Sequence, residues 1–366
     1  MTAKIELKEV SKKNITQFIN LNKETDPNQL THISKSHLEV FHSNPFCSNN
    51  DTIFIIAYFE KKVVGVVHCI PTLLKIGNLK KKVCWLSNLE VVKEYRKFFI
   101  GLMLVQRAKT IYKITAVNYP SSDAKHLYRG LKWLEFKSSQ FILILKPQKF
   151  IKLFFKNYYI SFICSLIYSF VYIFYRLPFK FLVFLISFLG YSLTLKNKYS
   201  QSLLSFEESI FSYKLNLTSR DKKYFDWIIQ SKFKNLGKNN ICLLMNKKNK
   251  VIGYSIIKER SYDSFAGKST KDFKISSIMY WKTKNFFNKL ILFALTIDAL
   301  EKTEADLILN ISNNKDVSFL NRLFGLIRLR EMSTFLNYKP LNYSSNLEFS
   351  KDKYSIIPLD GDAFFW

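Results

Sequence analysis

The sequence predicts an α/β fold of the α+β type, with two tandem mixed-sheet domains joined by an apolar helical connector. Three observations predict it: a pattern that occurs twice, an uncharged stretch between the two copies, and a length of 366 residues, which accommodates two domains of ordinary size. We expect the first domain at residues 1–147, the connector at 148–200 and the second domain at 201–366.

The repeated pattern aligns two segments that lie 188 residues apart. Residues 53–67 read IFIIAYFEKKVVGVV and residues 241–255 read ICLLMNKKNKVIGYS, and they align without a gap. Gly65 then meets Gly253, and the same offset continues through a pair of phenylalanines into an apolar-striped segment. Each copy predicts a β-hairpin followed later by a helix. A register that is kept through a turn, a glycine and a helix start indicates two copies of one structural unit.

The remaining elements follow from the same periodicities and from the residues that cap helices. In the first copy the expected elements are strand 5–7, helix 15–23, hairpin 53–70, strand 83–92, helix 98–112, strand 114–119, helix 122–131 and strand 140–145. In the second copy they are helix 219–232, hairpin 241–258, strand 275–281, helix 285–302, strand 305–311, helix 315–329 and strand 333–338.

The connector differs in composition from both domains. Residues 158–175 and 181–195 carry no charge, and residues 136–206 include nine basic residues but no acidic one. Apolar stretches that are flanked by positive charge and rich in Tyr and Phe are typical of segments at anionic membranes. We therefore expect the connector to lie in the membrane interface or to enter it as a shallow hairpin. A buried helical pair that bridges the domains is the alternative.

The charge of the chain implies anionic partners. The formal net charge is +28, but only nine of the 56 basic residues are arginine. Because specific phosphate and base recognition favours the planar fork of Arg, this composition disfavours nucleic-acid binding and favours an anionic membrane surface or an acidic cofactor. Five cysteines without C-x-x-C spacing predict reduced thiols and a cytoplasmic protein, peripheral at the cytosolic face of the membrane. The spacing of the histidines predicts no metal site.

The candidate chemistry lies in the segment LEVVKEYRKFFIGLMLVQR of the first copy. An apolar strand ends at Val91 and Val92, a basic turn with Arg96 and Lys97 follows, and a helix begins near Ile100. The free N–H groups and the dipole of a helix N-terminus favour anions, and the two basic side chains add formal charge. The segment therefore predicts a phosphate-binding turn.

This turn and a second stretch resemble the Gcn5-related N-acetyltransferase (GNAT) superfamily. In that family a strand ending V-x-P-E-Y-R is followed by G-x-G-x-G or -A and by a helix, which together cradle the pyrophosphate of acyl-CoA. Residues 91–96 resemble the first part of that motif. The family's A-x-x-L-Y-x-x-L-G-F resembles residues 124–133, and the order of elements agrees as well.

The resemblance implies a set of site residues. Tyr128 would protonate the departing CoA thiolate, and Glu90 would act as base for the attacking amine, a role that partial burial would suit. A core tyrosine and a surface carboxylate are the structural alternatives for these two positions. Acetyl-CoA or another acyl-CoA would bind along the turn and the next helix, without a metal, at Val91, Val92, Arg96, Lys97, Phe98, Phe99, Ile100, Gly101 and Ser122.

The first copy departs from the family's pattern at three positions. Phe99 replaces the first glycine of the phosphate loop, Lys132 stands where another glycine is usual, and Ser122 replaces an asparagine. The Phe99 side chain must point away from a bound phosphate if the backbone is to approach it closely.

The second copy departs further. It has Lys284 in place of the arginine, Lys289 in place of the second glycine and Asn321 in place of the tyrosine. We interpret it as a degenerate GNAT-like domain that keeps the fold.

The expected function is transfer of an acyl group from acyl-CoA to an amine of a small or lipid-linked acceptor, with an amino sugar of surface-polysaccharide biosynthesis as the first acceptor to try. A membrane-tethered binding or regulatory protein without catalysis is one alternative, and an aminoacyl-transferase that builds cell-wall peptides is another. In the C-terminal tail, Asp360 and Asp362 are candidates for recognition of a cationic amine.

Overall fold

The computed structural model describes most of the chain. The described residues are 5–21, 26, 28–31, 35–76, 79–153, 157–198, 200–209, 215–216, 222–229, 237–265, 268–312, 315–337 and 354–355. The tail with Asp360 and Asp362 lies outside them.

Most of the expected strands and helices form, but the helix expected at 315–329 ends at Leu323, and Ile327–Asn337 is a strand. The strands are β1 (Ile5–Ser11), β2 (Thr52–Phe59), β3 (Lys62–Ile76), β4 (Leu79–Val91), β5 (Thr115–Asn118), β6 (Leu134–Ile144), β7 (Ser192–Lys196), β8 (Leu215–Asn216), β9 (Lys238–Met245), β10 (Val251–Phe265), β11 (Lys268–Thr283), β12 (Leu307–Ser312), β13 (Ile327–Asn337) and β14 (Tyr354–Ser355). The helices are α1 (Ile15–Leu21), α2 (Lys35–Ser43), α3 (Ile100–Ile111), α4 (Ser122–Gly130), α5 (Pro147–Ile151), α6 (Tyr158–Phe188), α7 (Gln201–Ser209), α8 (Lys222–Ile229), α9 (Phe286–Glu301) and α10 (Lys315–Leu323).

The chain forms two compact units, and each is discontinuous in sequence. The first consists of Met1–Lys137, Tyr213–Trp227 and Ser333–Trp366, and the second of Ser138–Ser212 and Ile228–Met332. The predicted hairpins are confirmed as β2–β3 and β9–β10.

The two units share one strand order. In the first unit the order is β1-β2-β3-β4-β5-β13, with β4 and β5 parallel and β5 and β13 antiparallel. In the second it is β7-β9-β10-β11-β12-β6, with β11 and β12 parallel and β12 and β6 antiparallel. Each strand of this order in the first unit thus has a counterpart in the second, which confirms the tandem mixed-sheet fold.

The closing strand of each sheet comes from the other half of the sequence. Residues 334–337 of β13 pair with β5 in the first unit, and residues 139–144 of β6 pair with β12 in the second. The compact units therefore differ from the expected domains at 1–147, 148–200 and 201–366. The sequence pattern reports only local periodicity, and β6 and β13 are both 11-residue strands that suit either sheet.

Most of the connector forms one helix, α6, where the sequence left a hairpin or a buried pair open. The helix α6 is 31 residues long and continues through Pro178. It is part of the second unit, where Phe179 and Ile186 are buried in the same core as α9. By length and composition it could cross a membrane. Since most of its large side chains are exposed, the buried helical pair is not what forms.

Gly65 fixes how closely α3 packs on the first sheet. A Cβ at this position would lie 2.9 Å from Cγ2 of Ile100 and 3.3 Å from the carbonyl oxygen of Glu90. Its sequence counterpart Gly253 is equally confined, 2.7 Å from Cγ2 of Thr283. The close neighbour of Gly253 is therefore strand β11, whereas its contact with Cδ2 of Leu292 in α9 is an ordinary 3.6 Å.

We predict that Gly65→Ala lowers the free energy of unfolding by about 1–3 kcal/mol, because the added methyl overpacks the contact with α3. The control is Gly130→Ala, since a Cβ there meets no atom within 4 Å. That change should be neutral or slightly stabilising, because Ala favours helix more than Gly does. Thermal and urea unfolding measure both, and equal effects of the two variants would contradict this account.

Candidate functional site

The site begins where two parallel strands stop pairing. Parallel pairs join β4 and β5 from Cys84–Thr115 to Leu86–Val117, whereas β4 continues to Val91. Beyond these pairs the described residues place no strand between the end of β4 and β5. The carboxyl ends of parallel strands next to helix N-termini are a common place for ligands in α/β sheets.

A bulge in β4 determines which side chains near this opening pack on the core and which are exposed. Asn88 has a left-handed backbone (φ 47°), and the pairing with β3 slips by one residue there. Leu89 and Val91 consequently pack on the core beneath α3, while Glu90 between them is exposed. The partial burial that was expected of Glu90 is therefore not found.

The turn after β4 presents backbone N–H groups. A 3₁₀ turn, Lys93–Phe98, leads into α3, and Phe99 precedes the helix without a side-chain cap. The Phe99 N–H donates to the Arg96 carbonyl at 3.1 Å, and the Met103 N–H donates to the Phe99 carbonyl at 3.1 Å. The N–H groups of Ile100, Gly101 and Leu102 have no acceptor within the helix, as in any first turn. These three donors, together with the helix dipole, suit an anion.

Phe99 adopts the conformation that glycine usually supplies. Its backbone is left-handed (φ 56°, ψ 27°), and 72% of its side chain is exposed. Lys132, the other departure from the family's glycines, is left-handed too (φ 56°). Both residues keep the backbone shape at a cost in strain. The Phe99 side chain points into solvent and therefore does not prevent a phosphate from approaching the backbone closely.

Arg96 lies between the strand end and α4. Its Nε donates to the Val91 carbonyl at 3.2 Å, and its Nη1 lies 3.6 Å from Oδ2 of Asp123. The side chains are 60% and 82% exposed, so this ion pair is weak and exchangeable. The guanidinium can therefore turn to an incoming anion.

The space beside the Cα of Gly101, at the opening, is large enough for a methyl group. A Cβ there would lie 3.9 Å from Cγ2 of Val91 and 4.0 Å from Cδ2 of Leu127. Neither contact requires a glycine for the protein's own packing. The space beside the first turn of α3 is thus available to a ligand.

Tyr128 is more deeply placed than a general acid needs to be. Its ring is fully buried, with centroids 4.8 Å from Trp133 and 5.6 Å from Phe335. The hydroxyl oxygen has no accessible surface. A bound thioester can reach it only after the surrounding side chains rearrange.

A charged network holds α4 in place. Nη2 and Nε of Arg129 donate to Glu135 at 2.8 and 3.0 Å, and the Ser333 hydroxyl donates to the same carboxylate at 2.7 Å. The Arg129 guanidinium, with Ser333, lowers the pKa of Glu135 to about 2. The carboxylate is therefore charged at neutral pH and fixes the end of α4 that carries Tyr128.

The other predicted binding residues line the turn, but not all of them have a backbone or side-chain group that is available to a ligand. The Val92 N–H is already bonded to the Val64 carbonyl at 3.0 Å. Nζ of Lys97 lies 5.3 Å from the centre of the Phe98 ring, and both side chains are exposed. Ser122, the first residue of α4, is also exposed. The side chain of Ile100 is buried, so only its backbone N–H could contact a ligand.

Two residues of this site were missed by the sequence analysis. Ser121, rather than Ser122, caps α4 by accepting a bond from the Ala124 N–H at 3.4 Å. Asp123 provides the partner of Arg96. The first could be found from the preference for serine before a helix. The second depends on a contact between separate elements, which no local pattern reports.

The corresponding position of the second unit is closed. Asn285 caps α9, accepting from the Asn288 N–H at 2.8 Å. Lys289, the counterpart of Gly101, places its ammonium 2.7 Å from Asp316 with only 18% of the side chain exposed. One donor of this helix N-terminus is thus capped, and a lysine that is paired with Asp316 replaces the glycine of the first unit.

The comparisons with known proteins rest on structure. No protein-family model matches the chain, and no curated protein matches its sequence. A GCN5-related N-acetyltransferase from Anabaena variabilis is similar at 15% identity and a TM-score of 0.52, covering 91% of this chain and 72% of that one. Saccharomyces cerevisiae N-myristoyltransferase with bound myristoyl-CoA is similar at 12% identity and a TM-score of 0.57, covering 92% and 79%. A further structure of that enzyme, with myristoyl-CoA and inhibitors, reaches 14% identity and 0.56, covering 97% and 86%.

These similarities, with the strand order shared by the two units, show that the chain has the GNAT fold in tandem. The expected fold class is confirmed.

We predict that Phe99→Gly raises the free energy of unfolding by up to about 1 kcal/mol. Relief of the left-handed strain should exceed the entropy cost of glycine. Lys97→Gly is the control in the same turn, and it should destabilise by about 0.5–1 kcal/mol because its backbone gains nothing from glycine. A melting temperature that falls in both variants would show that position 99 is not strained.

Proposed function

We propose that the protein is an acyl-CoA-dependent N-acyltransferase whose first unit binds the acyl-CoA. The observation that carries the proposal is the uncapped N-terminus of α3, with free N–H groups at Ile100–Leu102, open space at Gly101 and the Arg96 guanidinium beside it. This arrangement suits a pyrophosphate. Similar folds in N-acetyltransferase and N-myristoyltransferase structures, the latter with myristoyl-CoA bound, support an acyl-CoA as co-substrate.

The proposed reaction is direct transfer. The amine nitrogen attacks the thioester carbonyl, the new C–N bond forms, and the C–S bond breaks to release the CoA thiolate. Glu90 would receive the amine proton through water, because its carboxylate is exposed beside the end of β4. Tyr128 would return a proton to the thiolate once the acyl-CoA has rearranged the side chains above it.

Acetyl is the acyl group that we propose first. The dense packing of Tyr128, Trp133 and Phe335 leaves little room beneath α4 for a long chain. The acceptor would be an amine on a small or lipid-linked molecule, such as an amino sugar of surface-polysaccharide biosynthesis. Titration with CoA, acetyl-CoA and myristoyl-CoA, each read as a shift in melting temperature, tests the donor directly.

A non-catalytic acyl-CoA-binding protein is the second candidate. It is favoured by the complete burial of the Tyr128 hydroxyl and by the exposed position of Glu90. Binding of acetyl-CoA without release of free thiol, across a panel of amines and amino sugars, would favour it over the enzyme.

We predict that Gly101→Ala separates ligand binding from stability. The added methyl has room in the folded chain, and Ala favours helix, so the melting temperature should hold or rise. Acetyl-CoA binding by calorimetry should weaken by at least about tenfold, or about 1.4 kcal/mol, because the methyl occupies the phosphate's approach. Unchanged affinity would show that acetyl-CoA binds at another place on the protein.

We predict that replacing the two residues of the Arg96–Asp123 pair by Ala, one at a time, has opposite effects on acetyl-CoA binding. Arg96→Ala should weaken acetyl-CoA binding by about 1–3 kcal/mol through loss of a charge-assisted hydrogen bond. Asp123→Ala should strengthen it, because the competing carboxylate is removed. Lys284→Ala in the second unit is the control and should change nothing. If both Arg96→Ala and Asp123→Ala weaken binding, the pair is structural.

We predict that Tyr128→Phe lowers turnover by roughly 100-fold with little change in acetyl-CoA affinity, because a general acid acts only as charge develops on sulfur. The ring and its stacking are kept, so the melting temperature should stay close to that of the wild type. Full activity in this variant would show that solvent protonates the thiolate and that Tyr128 serves the core.

A further inference from the structure

The helix α6 has an inner face that fits the second unit. Along this face Ser161, Ser165, Arg176, Phe179 and Ile186 are buried, at spacings of three or four residues or sums of these. The hydroxyl groups of Tyr168 and Tyr172, on the same face, donate to the Ile144 carbonyl and to Glu301 of α9. The helix is therefore held along most of its length.

The outer face of α6 is apolar and exposed. Its exposed large apolar side chains are Tyr158, Tyr159, Ile160, Phe162, Ile163, Leu166, Ile167, Phe170, Val171, Ile173, Phe174, Tyr175, Leu177, Phe181, Phe184, Leu185 and Phe188. Several, such as Phe170 and Phe188, expose more than 60% of their surface. Soluble proteins rarely leave so continuous an apolar surface without a partner.

The apolar surface continues beyond α6. Tyr175 lies against Gly325, and the Phe179 and Phe324 rings are 5.2 Å apart. Next to this contact, Leu323 and Ile327 are 51% and 49% exposed. The patch is therefore broader than one helix.

Positive charge gathers at both ends of α6. Lys152 lies 5.9 Å from the centre of the Tyr158 ring at the N-terminal end. At the other end, Gly190 lies against the Lys247 side chain, and the exposed Lys248 follows in the same β-hairpin. Lys196 on β7 is exposed as well. This distribution complements an anionic surface.

The acidic groups beneath the helix are neutralised. Glu301 pairs with Arg176, and Asp298 lies 2.5 Å from Lys180 and 2.7 Å from Lys302. These pairs face the second unit and do not oppose an anionic partner of the outer face.

The same pairs decide how the helix can meet a bilayer. Arg176 and Lys180 tie the middle of α6 to α9, and α9 is buried in the core of the second unit. If α6 spanned the bilayer, the polar surface of the second unit would enter the hydrocarbon region, where its polar groups would have no hydrogen-bond partners. Lying parallel to the surface, α6 can immerse its outer face and keep its inner contacts.

We propose that the outer face of α6 docks into one leaflet of a membrane that contains anionic lipid, as an anchor that lies in the interface. The apolar side chains enter the boundary between headgroups and acyl chains, and the lysines at its two ends contact the headgroups. The anchor is independent of whether the first unit transfers an acyl group.

The test is cosedimentation of the full chain with vesicles of phosphatidylcholine alone or with phosphatidylglycerol added. We expect binding to the mixed vesicles that falls as salt rises. The double variant Phe170→Glu, Phe174→Glu should lose at least about tenfold in binding, about 1.4 kcal/mol by the affinity relation. Leu134→Glu, an exposed apolar position in the first unit, should bind as the wild type does.

The electrostatic part has a matched control. Lys247→Glu with Lys248→Glu should weaken binding to the mixed vesicles. Lys61→Glu with Lys113→Glu alters net charge equally at exposed positions of the first unit and should have a smaller effect. Equal effects of the two pairs would overturn the assigned position of the anchor.

Depth and competing partners are read from the same preparations. A Phe170→Trp variant should be quenched more by lipids brominated near the headgroup than by lipids brominated near the chain ends, and the reverse order would overturn the interfacial position. Retained vesicle binding by Phe170→Glu, Phe174→Glu at an unchanged melting temperature would overturn the proposal. The proposal would also be overturned if the wild type did not bind vesicles but formed a dimer that the same variant dissociates. A second copy of the chain would then cover the outer face of α6.

Discussion

The early end of pairing between β4 and β5 is the constraint on which the candidate site depends. Three parallel pairs hold the strands together as far as Leu86 and Val117, and α3 connects them. Once pairing stops, the bulge at Asn88 turns Leu89 and Val91 to the core, and the chain reaches the first turn of α3 at the opening. Gly65 sets the depth of that helix against the sheet. Donors, space and the guanidinium of Arg96 all follow from this one interruption.

The second unit shows how the same architecture can lose its opening. Its strands β11 and β12 pair as far as Ile278 and Asn310, and β11 continues to Thr283. Asn285 then caps one N–H of α9, and Lys289 in the first turn pairs with Asp316. α6 packs over α9 and joins its core. The two units thus differ at this turn in a polar cap and in one long side chain.

Local patterns in the sequence predicted what depends on neighbours in the chain. Continuous β-rich runs predicted both hairpins, and the match of Gly65 with Gly253 identified two positions where a Cβ has no room. The departures at Phe99 and Lys132 marked left-handed positions. The burial of Tyr128 was beyond reach, because it depends on Phe335, which lies more than 200 residues later in the chain. The ion pair of Arg96 with Asp123 and the single course of α6 through Pro178 likewise depend on tertiary contacts.

The exchange of closing strands also bears on how the chain folds during synthesis. A domain that is continuous in sequence can fold as soon as it leaves the ribosome. Here β5 waits for residues 334–337, so the sheet that carries the candidate site stays open until most of the chain has emerged. Such distant pairings slow folding and leave an unpaired strand edge in the meantime. A nascent chain stopped near residue 150 would have all the residues of the turn between β4 and α3, but its sheet would lack the last strand.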